Sequence, residues 1–259
     1  MAQAIIIPPR VRFVMSMEWV FRHWLEIWLT LFTIFNILPY FAPLAMTSGA
    51  EPVGNTIYGL YGIVSHQFAH RSLFFFGEKL MYSPDELPIT LTDDVFSNES
   101  QMRAFRGNET LGWKVAWSDR LMTMYGSALI ASWAYYFLRK RENFHPFSLK
   151  IMLLLTLPLV LDGFTHWLSD FDGLVTGFRW HNAWLATLTA DTFPESFYVG
   201  DALGSFNSWA RLITGFLFGI GLMGWGLGVA ETYFHKNADI LKARLDNWWE
   251  RQKARSDKF

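Results

Sequence analysis

Between Trp24 and Met46 the chain runs apolar with Glu26 as its only charge, and this constrains the fold more than any motif does. A helix needs ~20 such residues to cross the hydrocarbon core of a bilayer. Three further stretches have the same character: Leu121 to Leu138, Ile151 to Trp167 and Trp209 to Phe234, each rich in Leu, Phe, Met, Trp or Gly. Only helices and closed barrels satisfy their backbone polar groups in lipid, so four apolar segments of this length predict an all-α, polytopic helical bundle with four crossings. Ser48-Gly49-Ala50 resembles a signal-peptide cleavage site, but the preceding apolar run exceeds the ~7–15 residues of a signal sequence, which favours a retained anchor. Only 17% of residues are charged and 18% are aromatic, which fits a membrane composition.

The net charge of −1 conceals a sorting of charge along the chain. Arg10, Arg12 and Arg22 precede the first span, and Arg139-Lys140-Arg141 separate the second from the third. Lys236, Lys242, Arg244, Arg251, Lys253, Arg255 and Lys258 follow the fourth. Basic residues concentrate on the cytoplasmic side, so both termini are expected there, in a multi-pass protein of the cell inner (plasma) membrane. The regions 47–120 and 168–208 then face outward together, carrying Asp85, Glu86, Asp93, Asp94, Asp170, Asp172, Asp191 and Asp201. Residues 1–234 form one membrane domain. Residues 235–259 form a basic amphipathic tail, with Ile240, Leu241, Leu245, Trp248 and Trp249 suited to the anionic inner leaflet rather than to nucleic acid.

Tyr58 to Phe76 is also apolar enough to cross. A fifth crossing would put Arg139-Lys140-Arg141 outside, so the segment is expected to be an interfacial or re-entrant helix. Residues 78–117 read as an ordered loop or lid, with Thr90 to Phe96 at most a short strand. Trp180 and Trp184 suit an aromatic belt or packing against the bundle. The spacing of Gly215 and Gly219, extended by Gly221, Gly224, Gly226 and Gly228, suits close helix packing within one chain.

Polar chemistry falls at one end of the spans. His66, Gln67, His70 and Arg71 interrupt an apolar run, and Asp119 and Arg120 open the second span. Asp162 and His166 end the third, while Asn207 and Arg211 open the fourth. The pairs His66/His70, Asp162/His166 and Asn207/Arg211 are each spaced to share a helix face. One reading is a closed network in which Arg71, Arg120 and Arg211 pair with Asp119 and Asp162. A second is a pocket whose excess of Arg takes an anionic head group or carboxylate. A third is a divalent metal held by His66, His70, Asp162 and His166, although His-x-x-x-His without the intervening Glu lacks the base of a metalloprotease. No phosphate loop, nucleophile elbow or kinase motif set is present, and the absence of Cys excludes disulfide and thiolate chemistry.

The order of these elements resembles that of a family of bacterial and archaeal predicted membrane proteins, the domain of unknown function 2085. Its Cys-His-Gln, Arg-Ser and Gly elements are similar to Ser65-His66-Gln67, Arg71-Ser72 and Gly77. Its Cys-x-Arg-Cys element and following helix start resemble Ser118-Asp119-Arg120-Leu121 and Thr123 to Ser127. An Asp-Gly and an Asn-x-x-x-Arg-x-x-x-Gly correspond to Asp162-Gly163 and to Asn207, Arg211 and Gly215. The resemblance covers roughly residues 57–222. The family's Cys positions are Ser65, Ser118 and Leu121 here, which points away from a thiolate centre and toward a polar network or anion site.

The expected function is a non-enzymatic membrane component whose outward pocket binds a lipid head group or small anion, or seats a partner subunit. The alternative is a metal-dependent membrane enzyme acting on a lipid-linked or extracytoplasmic substrate, with Asp119 as base. A transporter has weaker support, because charges near one boundary outline no path across the core. A haem or pigment carrier has weaker support too, because abundant aromatics are commonly packing residues.

Overall fold

The structure is a computed structural model describing residues 7–256; the first six residues and the last three, Lys258 among them, lie outside the described residues. Helix α1 (Pro9–Arg22) starts with Pro in its first turn, where the missing N–H costs nothing. Helix α2 (Trp24–Ile37) continues through a 3₁₀ turn at Leu38–Tyr40 into α3 (Phe41–Thr47). Pro39 and Pro43 withhold backbone donors there, which accounts for the tightened turn. Helix α4 (Glu51–Tyr61) then packs against α3 and stops at Gly62.

The segment expected as an interfacial helix is not one. After Gly62 the chain runs irregularly, makes a single 3₁₀ turn at Ala69–Arg71 and enters strand β1 (Ser72–Phe75). Gln67 sits at φ 54°, which breaks any helix through it. Its side-chain amide donates to the carbonyls of Tyr58 and Ala116, both at 3.0 Å, tying the loop to neighbouring backbone. His66 and His70 therefore share no helix face.

The region read as a lid contains helix α5 (Val95–Ala104), capped by the Asp94 carboxylate at 3.0 Å from the Phe96 N–H. It also holds strands β2 (Gly107–Asn108) and β3 (Gly112–Ser118), and β3 pairs antiparallel with β1 on one edge and β2 on the other. Thr90 to Phe96 forms no strand, because Val95 and Phe96 open α5 behind the Asp94 cap and the residues before them are loop. Val115, Ala116 and Trp117 of β3 pack with Ala42, Met46, Ile57, Tyr58 and Tyr61 in one core. Phe68, Phe74, Tyr82, Leu87, Met102 and Leu174 form a second.

The bundle is formed by α6 (Asp119–Leu138), α7 (Leu149–Asp170) and the long final helix described below, with α2 alongside α6. Between α7 and the final helix lie three short helices: α8 (Phe178–His181), α9 (Ala183–Leu188) and α10 (Glu195–Tyr198). In α7 the buried residues are polar, Asp162, His166 and Ser169, while Leu153, Leu154, Leu157, Leu161 and Phe164 are exposed. A helix with apolar groups outside and polar groups inside is suited to lipid on its outer face.

Helix α11 (Phe206–Ser256) is a single rod of 51 residues. Its glycines seat the neighbours: a Cβ at Gly215 would lie 2.6 Å from the Arg120 carbonyl, and one at Gly219 would overlap the Ser127 side chain and Met124 backbone of α6. Gly221 and Gly224 face Leu155 and Phe147. The tail is thus no separate helix, because the sequence from Val229 to Ser256 contains neither Gly nor Pro to interrupt it. At 1.5 Å per residue the rod is about 75 Å long, well beyond a bilayer. α1 lies against its C-terminal half, with Arg22 3.0 Å from Asp239 and Phe21 on Phe234.

Among the described residues, three helical segments are long and apolar enough to cross a membrane: Trp24–Thr47, Leu149–Asp170 and Phe206–Arg255. Helix α6 has the length, but its Tyr, Ser and Thr residues make it less apolar than these three.

Candidate functional site

The N-terminal ends of α6 and α11 and the C-terminal end of α7 meet two loops, and the junction is filled by charge. Asp201, in the loop before α11, is the hub. Its carboxylate accepts from Arg71 Nε at 2.7 Å and Arg211 Nη1 at 2.9 Å, and lies 3.2 Å from His166 Nε2. His70 Nε2 stands 3.5 Å away on the other side. Arg211 also donates to the Asp201 carbonyl at 2.6 Å and, through Nε, to Asp119 at 2.8 Å. Arg71 in turn grips Asp170 with two parallel bonds of 2.9 and 2.8 Å.

A second group adjoins the first. Asp162 accepts from Arg120 and from Arg179, each at 2.7 Å, and Thr214 lies 3.3 Å away. Arg179 continues to Thr165 at 2.8 Å and to the Asn207 amide oxygen at 3.1 Å. Asn207 donates to the carbonyls of Arg179 and Gly200, fixing the loop that carries Asp201.

Four arginines thus meet four aspartates. Buried charges are tolerable only when paired and hydrogen-bonded, and a bidentate guanidinium–carboxylate contact does both. Burial alone would raise the Asp201 carboxyl, but Arg71 and Arg211 outweigh it and hold it well below the usual carboxylate range. His70 is fully buried; burial, assisted by Arg71, pushes it well below its ordinary value and keeps it neutral.

Of the residues anticipated from sequence, His66, Arg71, Asp119, Arg120 and Arg211 line one cavity of about 260 Å³, with Val64, Phe68, Ser118 and Leu121 completing the wall. The first turn of α6 opens onto it, adding the positive end of a helix dipole. Arg120 Nε is buried there without a hydrogen-bond partner. His70, Asp162, His166 and Asn207 lie behind the wall in the ion-pair network, and Gln67 serves the backbone instead. The pairings Arg211–Asp119 and Arg120–Asp162 are among those expected, whereas Arg71 goes to Asp170 and Asp201.

The four residues suggested as metal ligands do not come together as a set, although His166 Nδ1 lies 3.9 Å from Asp162. His66 is exposed, His70 and His166 both turn to Asp201, and Asp162 is taken by two arginines. Among the described residues, no group of three or more His, Asp or Glu is arranged to hold a metal ion.

Three members of the network carry no mark in the sequence as site residues: Asp170, Asp201 and Arg179. The two aspartates are visible there only as outward acids at the end of α7 and before α11, close to the polar clusters. Arg179 lies in Phe178-Arg179-Trp180-His181, where no spacing to a partner betrays it.

No curated protein and no solved structure matches the chain. Three of the motif elements, at Ser118 to Ser127, at Asp162-Gly163 and at Asn207 to Gly215, fall within the stretch that does find a match; Ser65 to Gly77 precedes it. Residues 103–224, which carry α6, α7 and the first part of α11 with most of this network, match the model of the family described as predicted membrane protein (DUF2085), the same family that the motif order indicates.

Proposed function

We propose that the protein is a non-enzymatic component of the plasma membrane that crosses it four times, with α6 as the fourth span, and binds an anionic head group in its outward cavity. Both termini are on the cytoplasmic side in this reading, supported by the basic residues at Arg139–Arg141 and along the α11 tail. The observation that carries the binding role is the cavity wall itself: three guanidiniums, from Arg71, Arg120 and Arg211, against one lining carboxylate, Asp119. Acids behind the wall hold Arg71 and Arg211 in place, so little side-chain entropy is lost when an anion enters. Val64, Phe68 and Leu121 offer apolar contact beside the charge, as an amphiphile requires.

The test is lipid retention by protein purified in mild detergent, read by native mass spectrometry. Anionic phospholipid is expected to stay bound in preference to zwitterionic lipid, and Arg120→Gln is expected to weaken retention about tenfold, the loss of one charge-assisted contact. Competition by inorganic phosphate separates recognition of the phosphate group alone from recognition of the whole lipid. Equal retention of both lipid classes by a folded Arg120→Gln variant and by the unaltered protein would sink the proposal.

A further inference from the structure

Away from this network, the outward region holds a second cavity, of about 310 Å³, between α4 and α5. Its charged lining residues are Arg103 and Arg106, accompanied by Tyr58, Gly59, Gly62 and Ser100. The electrostatics differ in kind from those of the first cavity. There every arginine has a carboxylate; here neither Arg103 nor Arg106 forms an ion pair among the described residues. Arg103 donates to the Gly62 carbonyl, and Arg106 donates to the Asn55 amide oxygen and lies 5.2 Å over the Tyr58 ring. These are neutral partners, so both positive charges remain uncompensated.

Behind the same cavity is a third cation. Lys114 of β3 is fully buried, and its Nζ donates to the carbonyls of Gln67 at 2.6 Å and Arg103 at 2.8 Å, again with no carboxylate. Burial, with Arg106 and Arg103 close by, pulls its ammonium down to about 7. Three basic side chains therefore converge where no carboxylate pairs with them among the described residues. Arg103 is exposed and Arg106 half-buried, so both guanidiniums are within reach of an incoming anion, which their summed positive potential attracts.

We propose that the cavity between α4 and α5 is a second anion site, which takes the phosphate dianion of a water-soluble phosphomonoester between Arg103 and Arg106. The charge of a dianion matches the two uncompensated guanidiniums, whose planar forks suit phosphate oxygens. The exposed Gly59 and the partly open Gly62 leave room beside them. The cavity also exceeds what a bare phosphate fills, leaving space for an ester group.

The experiment uses the full chain in detergent, with inorganic phosphate and glycerol phosphate as probes. Saturable binding by titration calorimetry is expected, weakened about tenfold by Arg103→Gln or Arg106→Gln, which leave lipid retention in the other cavity unaffected, and unchanged by Arg251→Gln on the α11 tail. Failure of the lipid site and failure of this one are thereby separable. Should a variant not fold, the unaltered protein answers the question by arginine modification with phenylglyoxal. Either probe is expected to slow modification of Arg103 and Arg106 without slowing that of Arg251 on the α11 tail. No saturable binding, or equal modification rates with and without phosphate, would overturn the proposal.

Discussion

At the residue scale, Asp201 shows how buried charge is made tolerable, because four side chains from three segments converge on one carboxylate. Replacing it with Asn leaves Arg71 and Arg211 short of a counter-charge, so Asp201→Asn is expected to destabilise the protein by ~3–5 kcal/mol, measured by denaturant unfolding in detergent. The carboxyl is depressed in the folded protein, so its contribution is present above the unfolded value of about 4 and is lost as pH falls through the lower folded value. The variant is expected to lack that part of the acid dependence. Lys114 gives the opposite sign. Its ammonium titrates at about 7 when folded and at about 10.4 when unfolded, so between those values the unfolded chain holds more protons and stability rises with pH. Unfolding midpoints taken from about pH 7 to 10 are expected to climb in the native sequence and to flatten in Lys114→Met; an identical climb in both would refute this. Asp119, Arg120, Asp162 and Arg211 were legible because they sit at the ends of apolar spans, where a charge demands a partner. Arg179 was not, since its partner Asp162 is brought to it by the turns around α8, and turn geometry leaves no periodic trace.

At the scale of elements, the helices declared themselves through long apolar runs, whereas the small sheet did not. Strand β3 reads Gly-Trp-Lys-Val-Ala-Trp-Ser, and the buried Lys114 within it spoils the apolar pattern by which an interior strand is recognised. The stretch after Tyr61 misled in the other direction: His66 and His70 have helical spacing, but the left-handed Gln67 between them and the pairing of β1 with β3 decide the conformation. The glycines of α11, Gly226 apart, serve packing within the chain, against α6, Leu155 and the Pro146–Phe147 turn. Gly219→Leu places a side chain into the backbone of α6, which cannot yield, and is expected to lower the melting temperature in detergent steeply. Gly226→Ala, with open space around it, is expected to melt like the native protein or slightly above it.

For the whole molecule, the claim on which the outward cavity depends is the four-crossing arrangement. Three spans follow from length and composition among the described residues; we propose α6 as the fourth because it packs against both α2 and α11 and links the small sheet directly to the basic Arg139–Arg141 turn. With no native cysteine, single cysteines introduced at exposed positions report sidedness without background. The decisive measurement is labelling of intact cells with a membrane-impermeant maleimide at Ser100→Cys, Thr192→Cys, Lys140→Cys and Ala254→Cys. The account predicts that Ser100→Cys and Thr192→Cys react from outside, while Lys140→Cys and Ala254→Cys react only after permeabilisation. Reaction of Ser100→Cys and Lys140→Cys from the same side would show that α6 does not cross, and would contradict it.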